Sequence, residues 1–218
     1  MNGIIFDLDG TLWDSIDTVV DAWNNVLTQN KQLNREITKD DLRQVMGLPF
    51  DQLGEKLLPE LDKDMRAEII QACCDLENSY LAKQGGVLYE NVEHTLKMLS
   101  SKYKLFIVSN CQDGYIEAFY KYHGLEKYFI DYENPGRTGL SKGENIKLVM
   151  ERNQLASPVY VGDTVGDQQA AREAGIPFIF AAYGFGEVTD YEYSIDQFDV
   201  LADTIKEIER KSVSQCES

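Results

Sequence analysis

The apolar positions at the start of the chain form one short block, Ile4-Ile5-Phe6, which stops at two aspartates one residue apart, Asp7 and Asp9, followed by Gly10-Thr11. A block of β-branched and aromatic residues predicts a buried strand, and Gly10 permits a tight turn directly after it. The period then changes. Ile16, Val19, Val20, Trp23, Val26 and Leu27 recur at helical spacing and make a single apolar stripe. Thr38 and Asp41 resemble a capping box that opens a helix through Leu42, Val45 and Met46. Gly47-Leu48-Pro49 ends that helix, a short one carrying Leu53, Leu57, Leu58 and Leu61 follows, and a longer one carries Met65, Ile69, Cys73, Leu76 and Tyr80. Residues 14–82 therefore read as all-helical, with no strand signal.

From Gly85-Gly86 onward strand and helix patterns alternate. A helix around 91–101 precedes a strand at Lys104–Val108 that runs into Ser109-Asn110. A helix follows from Asp113 to Tyr122, then a strand at Tyr128–Tyr132. Ser141 and Glu144 form a second capping-box pattern, opening a helix with Ile146, Val149 and Met150 on its apolar face. Pro158–Val161 reads as a strand ending at Gly162-Asp163. Asp167 to Ala174 reads as a helix closed by Gly175, with Pro177 beyond it. Phe178–Ala181 is a strand, Val200–Glu209 a last helix, and the polar tail from Lys211 reads as frayed. Strands separated by single helices imply an α/β fold, a parallel sheet wrapped on both faces. Residues 1–13 and 83–218 would supply that core and residues 14–82 an inserted helical domain.

Composition narrows the possibilities. A net charge of −16 argues against nucleic acid or an anionic membrane as partner, since both need a basic face. It also means that an anionic substrate would need a bound divalent cation and a few placed cations to reverse the field locally. No apolar run approaches the roughly 20 residues of a membrane span, and three apolar residues before Asp7 do not make a signal peptide, so a cytoplasmic location is expected. Cys73, Cys74, Cys111 and Cys216 match no zinc spacing and read as free thiols, Cys73 in a helix core. His94 and His123 read as surface or helix-end residues.

In a parallel sheet, ligands bind beyond the carboxyl ends of the strands. Three stretches meet there: Asp7 and Asp9, Ser109 and Asn110, and Gly162-Asp163, with Lys142 joining from a helix N-terminus. Asp163 and Asp167, four apart at a helix start, can face the same side. Four carboxylates, a hydroxyl and an amine in this order suit metal-assisted phosphoryl transfer. Asp7-Leu8-Asp9-Gly10-Thr11, Ser109, Lys142, and Gly162-Asp163 with Asp167 together resemble the four motifs of the haloacid dehalogenase superfamily. The helical insertion resembles the cap of its phosphoglycolate-phosphatase-like branch.

That resemblance implies a Rossmann-like core, Mg²⁺ as cofactor and a small phosphorylated metabolite as substrate, in a monomer or homodimer. It implies Asp7 as nucleophile and Asp9 as general acid–base, the latter with the more raised pKa and with its backbone carbonyl on the metal. Asp163 would be a direct metal ligand, Asp7 and Asp167 would complete the metal set with Asp9, and Asp167 would orient water or Lys142. Ser109 and Asn110 would donate to the phosphoryl oxygens and Lys142 would neutralise charge, with Thr11 beside them. Trp13 and Gly47, the latter within the loop Gly47–Phe50, would face the leaving group, although Trp13 reads equally well as a core aromatic. Dehalogenases of the superfamily lack an acid–base aspartate at the place of Asp9, which favours phosphate-ester chemistry here. Mutases of the β-phosphoglucomutase type carry a cap arginine where this chain has Gly47-Leu48-Pro49-Phe50. Pyrophosphatase and nucleotidase activities stay open, as does a phosphorylatable or phosphate-binding regulatory domain. Two departures from the family pattern stand out: Lys142-Gly143-Glu144-Asn145 in place of Lys-Pro-x-Pro, and Trp13 where smaller apolar residues are usual.

Overall fold

A computed structural model describes residues 1–216 apart from 31, 32 and 34, and the side chains beyond 211 lie outside what it describes. Its centre is a six-stranded sheet, all parallel, built on β1 (Gly3–Phe6). β1 lies between β4 (Lys104–Val108) and β6 (Pro158–Gly162), with β5 (Asp131–Glu133) on one flank and β7 (Phe178–Ala181) then β8 (Tyr193–Ile195) on the other. Phe6 is in register with both Ile107 and Val161. The strands therefore end at one level, and the residues just past their ends, Asp7, Ser109 and Asp163, are neighbours.

Strand alternation sorts the core into two layers. Ile4, Phe6, Leu105, Ile107, Val159, Val161 and Ile179 point to one face, under α5 (Val92–Ser100), α6 (Tyr115–His123) and α10 (Leu201–Cys216). Ile5, Phe106, Val108, Tyr160, Phe178 and Phe180 point to the other, under α8 (Lys142–Arg152) and α9 (Val165–Ala174). Each such fully buried large side chain contributes about 1.5–3 kcal/mol relative to exposure.

The insertion holds α1 (Ile16–Gln29), α2 (Lys39–Arg43), α3 (Phe50–Leu57) and the long α4 (Lys63–Gln84), which packs against α1 on one side and α6 of the core on the other. The chain enters and leaves it through a two-stranded antiparallel ribbon, β2 (Trp13–Asp14) against β3 (Val87–Leu88). Capping boxes form at Thr38/Asp41 and Ser141/Glu144 as the sequence predicts.

Several expectations shift. The ribbon places Asp14 in a strand, a pairing too short to show as a period. The strand expected at Tyr128–Tyr132 lies at Asp131–Glu133, because residues 126–128 form a 3-10 turn. β8 carries no apolar block, being a short edge strand on β7. α6 starts at Tyr115, and α10 continues past Lys211 to Cys216. On α4 the expected Ile69 and Cys73 are buried, but the buried line continues through Cys74, Glu77 and Leu81 rather than Leu76 and Tyr80, because the helix is covered from two sides. Cys73, Cys74 and Cys111 are free and buried; the Cys216 thiol lies outside the described residues. His94 is exposed and His123 ends α6. Among the described residues no helix is long and apolar enough to cross a membrane.

Candidate active site

Directly after β1 the chain folds back on itself: Leu12 N–H donates to the Leu8 carbonyl at 2.8 Å and Gly10 N–H to the Trp13 carbonyl at 2.9 Å. Gly10 has φ +79°, and a Cβ there would run into the Asp163 carboxylate, so the turn and the close approach both require glycine. Past β6, Thr164 caps α9 and exchanges hydrogen bonds with Asp167. The N3 position of this capping box thus delivers the Asp167 carboxylate to the cleft. Ser141 starts α8 at Lys142, whose side chain runs inward and is buried. A lysine-proline motif is not needed for that placement.

The floor of the cleft is a charge network. Lys142 Nζ lies 2.8 Å from Asp7 Oδ1 and 2.5 Å from Asp167 Oδ1. Burial alone would lower the pKa of this lysine, but Asp167 and Asp7 together hold it raised and the amine charged. Asp7 is pushed up to about 6, by burial first and Asp167 second, while Lys142 and a hydrogen bond from Ser109 pull it down. Asp163 is raised well above the carboxylate range by burial and by repulsion from Asp167 and Asp7. Three buried carboxylates here share one cation, and an oxygen of each of Asp7, Asp163 and Asp167 lies within 4.8 Å of the others. An all-oxygen set with surplus negative charge suits a hard divalent cation.

Hydrogen bonds separate the three acids. Both Asp167 oxygens are occupied, Oδ2 by the Asp163 and Thr164 N–H groups and the Thr164 hydroxyl, Oδ1 by Lys142 with Tyr160 at 3.3 Å. Asp163 accepts one firm bond, from Phe185 N–H at 2.8 Å, with the Thr11 hydroxyl at 3.4 Å. Asp7 and Asp163 therefore keep the free lone pairs, whereas the Asp167 oxygens are taken up by Lys142 and the turn into α9.

Asp9 sits in different surroundings. Its Oδ1 accepts from Ser15 at 2.6 Å and Tyr115 at 2.8 Å, two hydroxyls themselves 2.9 Å apart. Ser15 is the N-cap of α1 but makes no side-chain capping bond; its hydroxyl is turned instead to Asp9 and Tyr115. Burial pushes Asp9 up to about 7; Ser15 and Tyr115 pull down and Asp7 adds repulsion. It is the more raised of the pair, and a proton it carries belongs on Oδ2, since Oδ1 is already an acceptor.

Above the floor, the insertion encloses a cavity of about 50 Å³ lined by Asp7, Asp9, Ser109 and Asn110 below and by residues of α1–α4 and the Gly47–Phe50 loop above. Gly47, at φ +77°, packs on Thr164, and its carbonyl accepts from Asn110 Nδ2 at 2.9 Å. The Asn110 amide thus ties floor to roof. Trp13 does not reach the cavity: it is fully buried, with its ring against Tyr115, Phe119 and His123. Its width is taken up by that packing. Thr11 lies beneath Asp163 and does not line the cavity either.

A family model described as haloacid dehalogenase-like hydrolase matches residues 4–181, from the start of β1 to the end of β7. The chain belongs to this family. The hydrolase is 27% identical over 220 residues to a phosphoglycolate phosphatase of Photobacterium profundum, covering 93% of this chain and 95% of the relative. It is 29% identical over 215 residues to one of Aliivibrio fischeri, covering 93% and 92%. A solved haloacid dehalogenase-like hydrolase from Streptococcus pneumoniae superimposes with a TM-score of 0.78 at 26% identity, covering 93% of this chain and 98% of that one.

Sequence reasoning brings Asp7, Ser109, Lys142, Asp163 and Asp167 together as expected and misses the residues that tune them. Ser15 and Tyr115 bond Asp9, Thr164 bonds Asp167 and Phe185 bonds Asp163. Only Thr164, three residues before Asp167, carried a local signal, the capping-box spacing.

Proposed function

We propose that the hydrolase is a Mg²⁺-dependent phosphatase acting on a small phosphomonoester, of about phosphoglycolate size, through an aspartyl-phosphate on Asp7. The observation that carries this reading is the difference between two carboxyls one residue apart: Asp7 faces Lys142 and Ser109, while Asp9 faces two hydroxyls at the cavity edge. An Asp7 oxygen attacks phosphorus as the bond to the leaving oxygen breaks, and Asp9 gives its Oδ2 proton to that oxygen. Asp9, now ionised, takes a proton from water as the water oxygen attacks phosphorus. The phosphorus–Asp7 bond breaks and inorganic phosphate leaves. Lys142 and Ser109 oppose the charge on the transferring group. Asp7, Asp163 and the Asp9 carbonyl would hold the Mg²⁺, which supplies neutralising charge between an anionic nucleophile and an anionic ester. Residues 14–82 act as a cap that excludes bulk water and meets the leaving group, and the Asn110–Gly47 bond belongs to its closed state. The names of the relatives support the substrate class.

The test is release of phosphate from p-nitrophenyl phosphate. Wild type should turn over with Mg²⁺ and stop with EDTA, and Asp7→Asn should lose at least about four orders of magnitude, as when other nucleophiles are deleted. Undiminished turnover by Asp7→Asn would rule out the aspartyl-phosphate.

A further inference from the structure

The roof of the cavity carries one charge-bearing side chain that the reaction does not use. Glu77 of α4 is 5% exposed, lies in the line Ile69–Cys73–Glu77–Leu81, and lines the cavity together with Asp9 and Tyr115. Its Oε2 accepts from Trp23 Nε1 of α1 at 2.5 Å, and Gln112 of the core adds a second hydrogen bond. Around it stand Val19, Trp23, Leu42, Met46, Leu48, Phe50 and Leu53. Among the described residues, no lysine, arginine or histidine lines the cavity; Lys142 is engaged below, with Asp7 and Asp167. A buried carboxyl without a cation is costly to keep unless a ligand completes its hydrogen bonding.

From this arrangement, and resting on the phosphatase reading above, we infer that Glu77 selects the leaving group: it accepts a hydrogen bond from a hydroxyl or ammonium on a small alcohol and turns away one bearing a carboxylate. Above about pH 7, where Glu77 is ionised, a carboxylate there meets a like charge with no cation among the described lining residues to offset it. It binds only against that repulsion or by protonating Glu77; Asp9, which carries the proton for the leaving oxygen, adds no charge. Size acts in the same direction. A cavity of roughly 150 Å³ holds benzene, so one of about 50 Å³ takes a leaving group of few heavy atoms. Among the described residues of the insertion that line the cavity, only Glu77 offers a side-chain oxygen to such a group.

Four phosphate esters of two-carbon alcohols isolate the effect: ethyl phosphate, 2-hydroxyethyl phosphate, phosphoethanolamine and phosphoglycolate. At pH 8 wild-type kcat/KM should be highest for the hydroxyl and ammonium esters and about tenfold lower for ethyl phosphate and for phosphoglycolate. Glu77→Gln should raise phosphoglycolate relative to 2-hydroxyethyl phosphate by at least about tenfold and lower phosphoethanolamine relative to it. Phosphoglycolate as the best wild-type substrate would overturn the inference, and that result stands even if the variant fails to fold. A common change for all four esters in Glu77→Gln would also overturn it, because a merely structural role scales every substrate alike. Phosphate released from none of the four, nor from p-nitrophenyl phosphate, would instead remove the phosphatase reading, and this inference with it.

Discussion

On the floor of the cleft, three buried carboxylates stand together with one cation, Lys142, which pairs with Asp7 and Asp167, and every oxygen of Asp167 is spoken for by a donor. In the roof, one buried carboxyl, Glu77, stands among apolar side chains with the Trp23 indole N–H and Gln112 as its hydrogen-bond partners. Both regions hold surplus negative charge, but it is organised differently. The floor concentrates lone pairs from three chain segments at one point, which suits a cation and a phosphoryl group. The roof presents a single side-chain carboxyl among the apolar residues of the insertion, which suits discrimination between neutral, cationic and anionic alcohols. Reaction and selection are thus assigned to opposite walls.

The largest expected effect lies on the floor. Asp9→Asn should lower kcat on an alkyl phosphate by about 10²–10⁴-fold, and by less on p-nitrophenyl phosphate, whose leaving group departs without a proton. Equal losses on both esters would place Asp9 outside proton transfer and blur the line between it and Asp7. Next comes Lys142→Met, which leaves Asp7 and Asp167 buried without their cation and should cost about 3–5 kcal/mol of stability at neutral pH. Denaturant titration measures it, and adding Asp167→Asn should recover part of the loss.

The roof has its own signature in pH. Burial raises the Glu77 carboxyl from 4.5 to about 7, so between those values the folded protein holds a proton that the unfolded chain has released. Its contribution is complete below about pH 4.5 and is lost as pH rises through 7, roughly 3 kcal/mol in all. Denaturant titration of the metal-free protein at pH 5 and 8 should show a smaller difference in Glu77→Gln than in wild type; an unchanged difference would mean that Glu77 is solvated and the roof carries no isolated charge. The smallest effect belongs to the boundary. Asn110→Ala removes the bond to the Gly47 carbonyl, worth about 1 kcal/mol, and should raise KM about fivefold with kcat within about twofold. A loss concentrated in kcat would make Asn110 a phosphoryl ligand of the floor instead.

The same contrast explains what could be read from residue order. Each floor residue directly follows a strand or opens a helix, so a short apolar block, a glycine or a cap points to it: Phe6 before Asp7, Val108 before Ser109, Gly162 before Asp163, Ser141 before Lys142. The roof is assembled from single positions on separate helices. Glu77, between Leu76 and Asn78 on a helix rich in polar residues, looks like any solvated glutamate until α1 and α6 close over α4 from two sides. Trp13 shows the converse: it reads equally well as a cleft or a core aromatic until Tyr115 and Phe119, a hundred residues on, bury it completely.

The ribbon between β2 and β3 bears on how such a protein diversifies. Trp13 pairs with Leu88 and Asp14 with Val87, so more than seventy residues depart from and return to adjacent backbone positions. Anything spliced between those points can lengthen, shrink or be replaced while β1, β4 and β6 keep their register, because none of their pairings involves the insertion. A lineage can therefore revise what it accepts as substrate without rewriting how it breaks the bond, and the two traits are inherited on separable parts of one polypeptide.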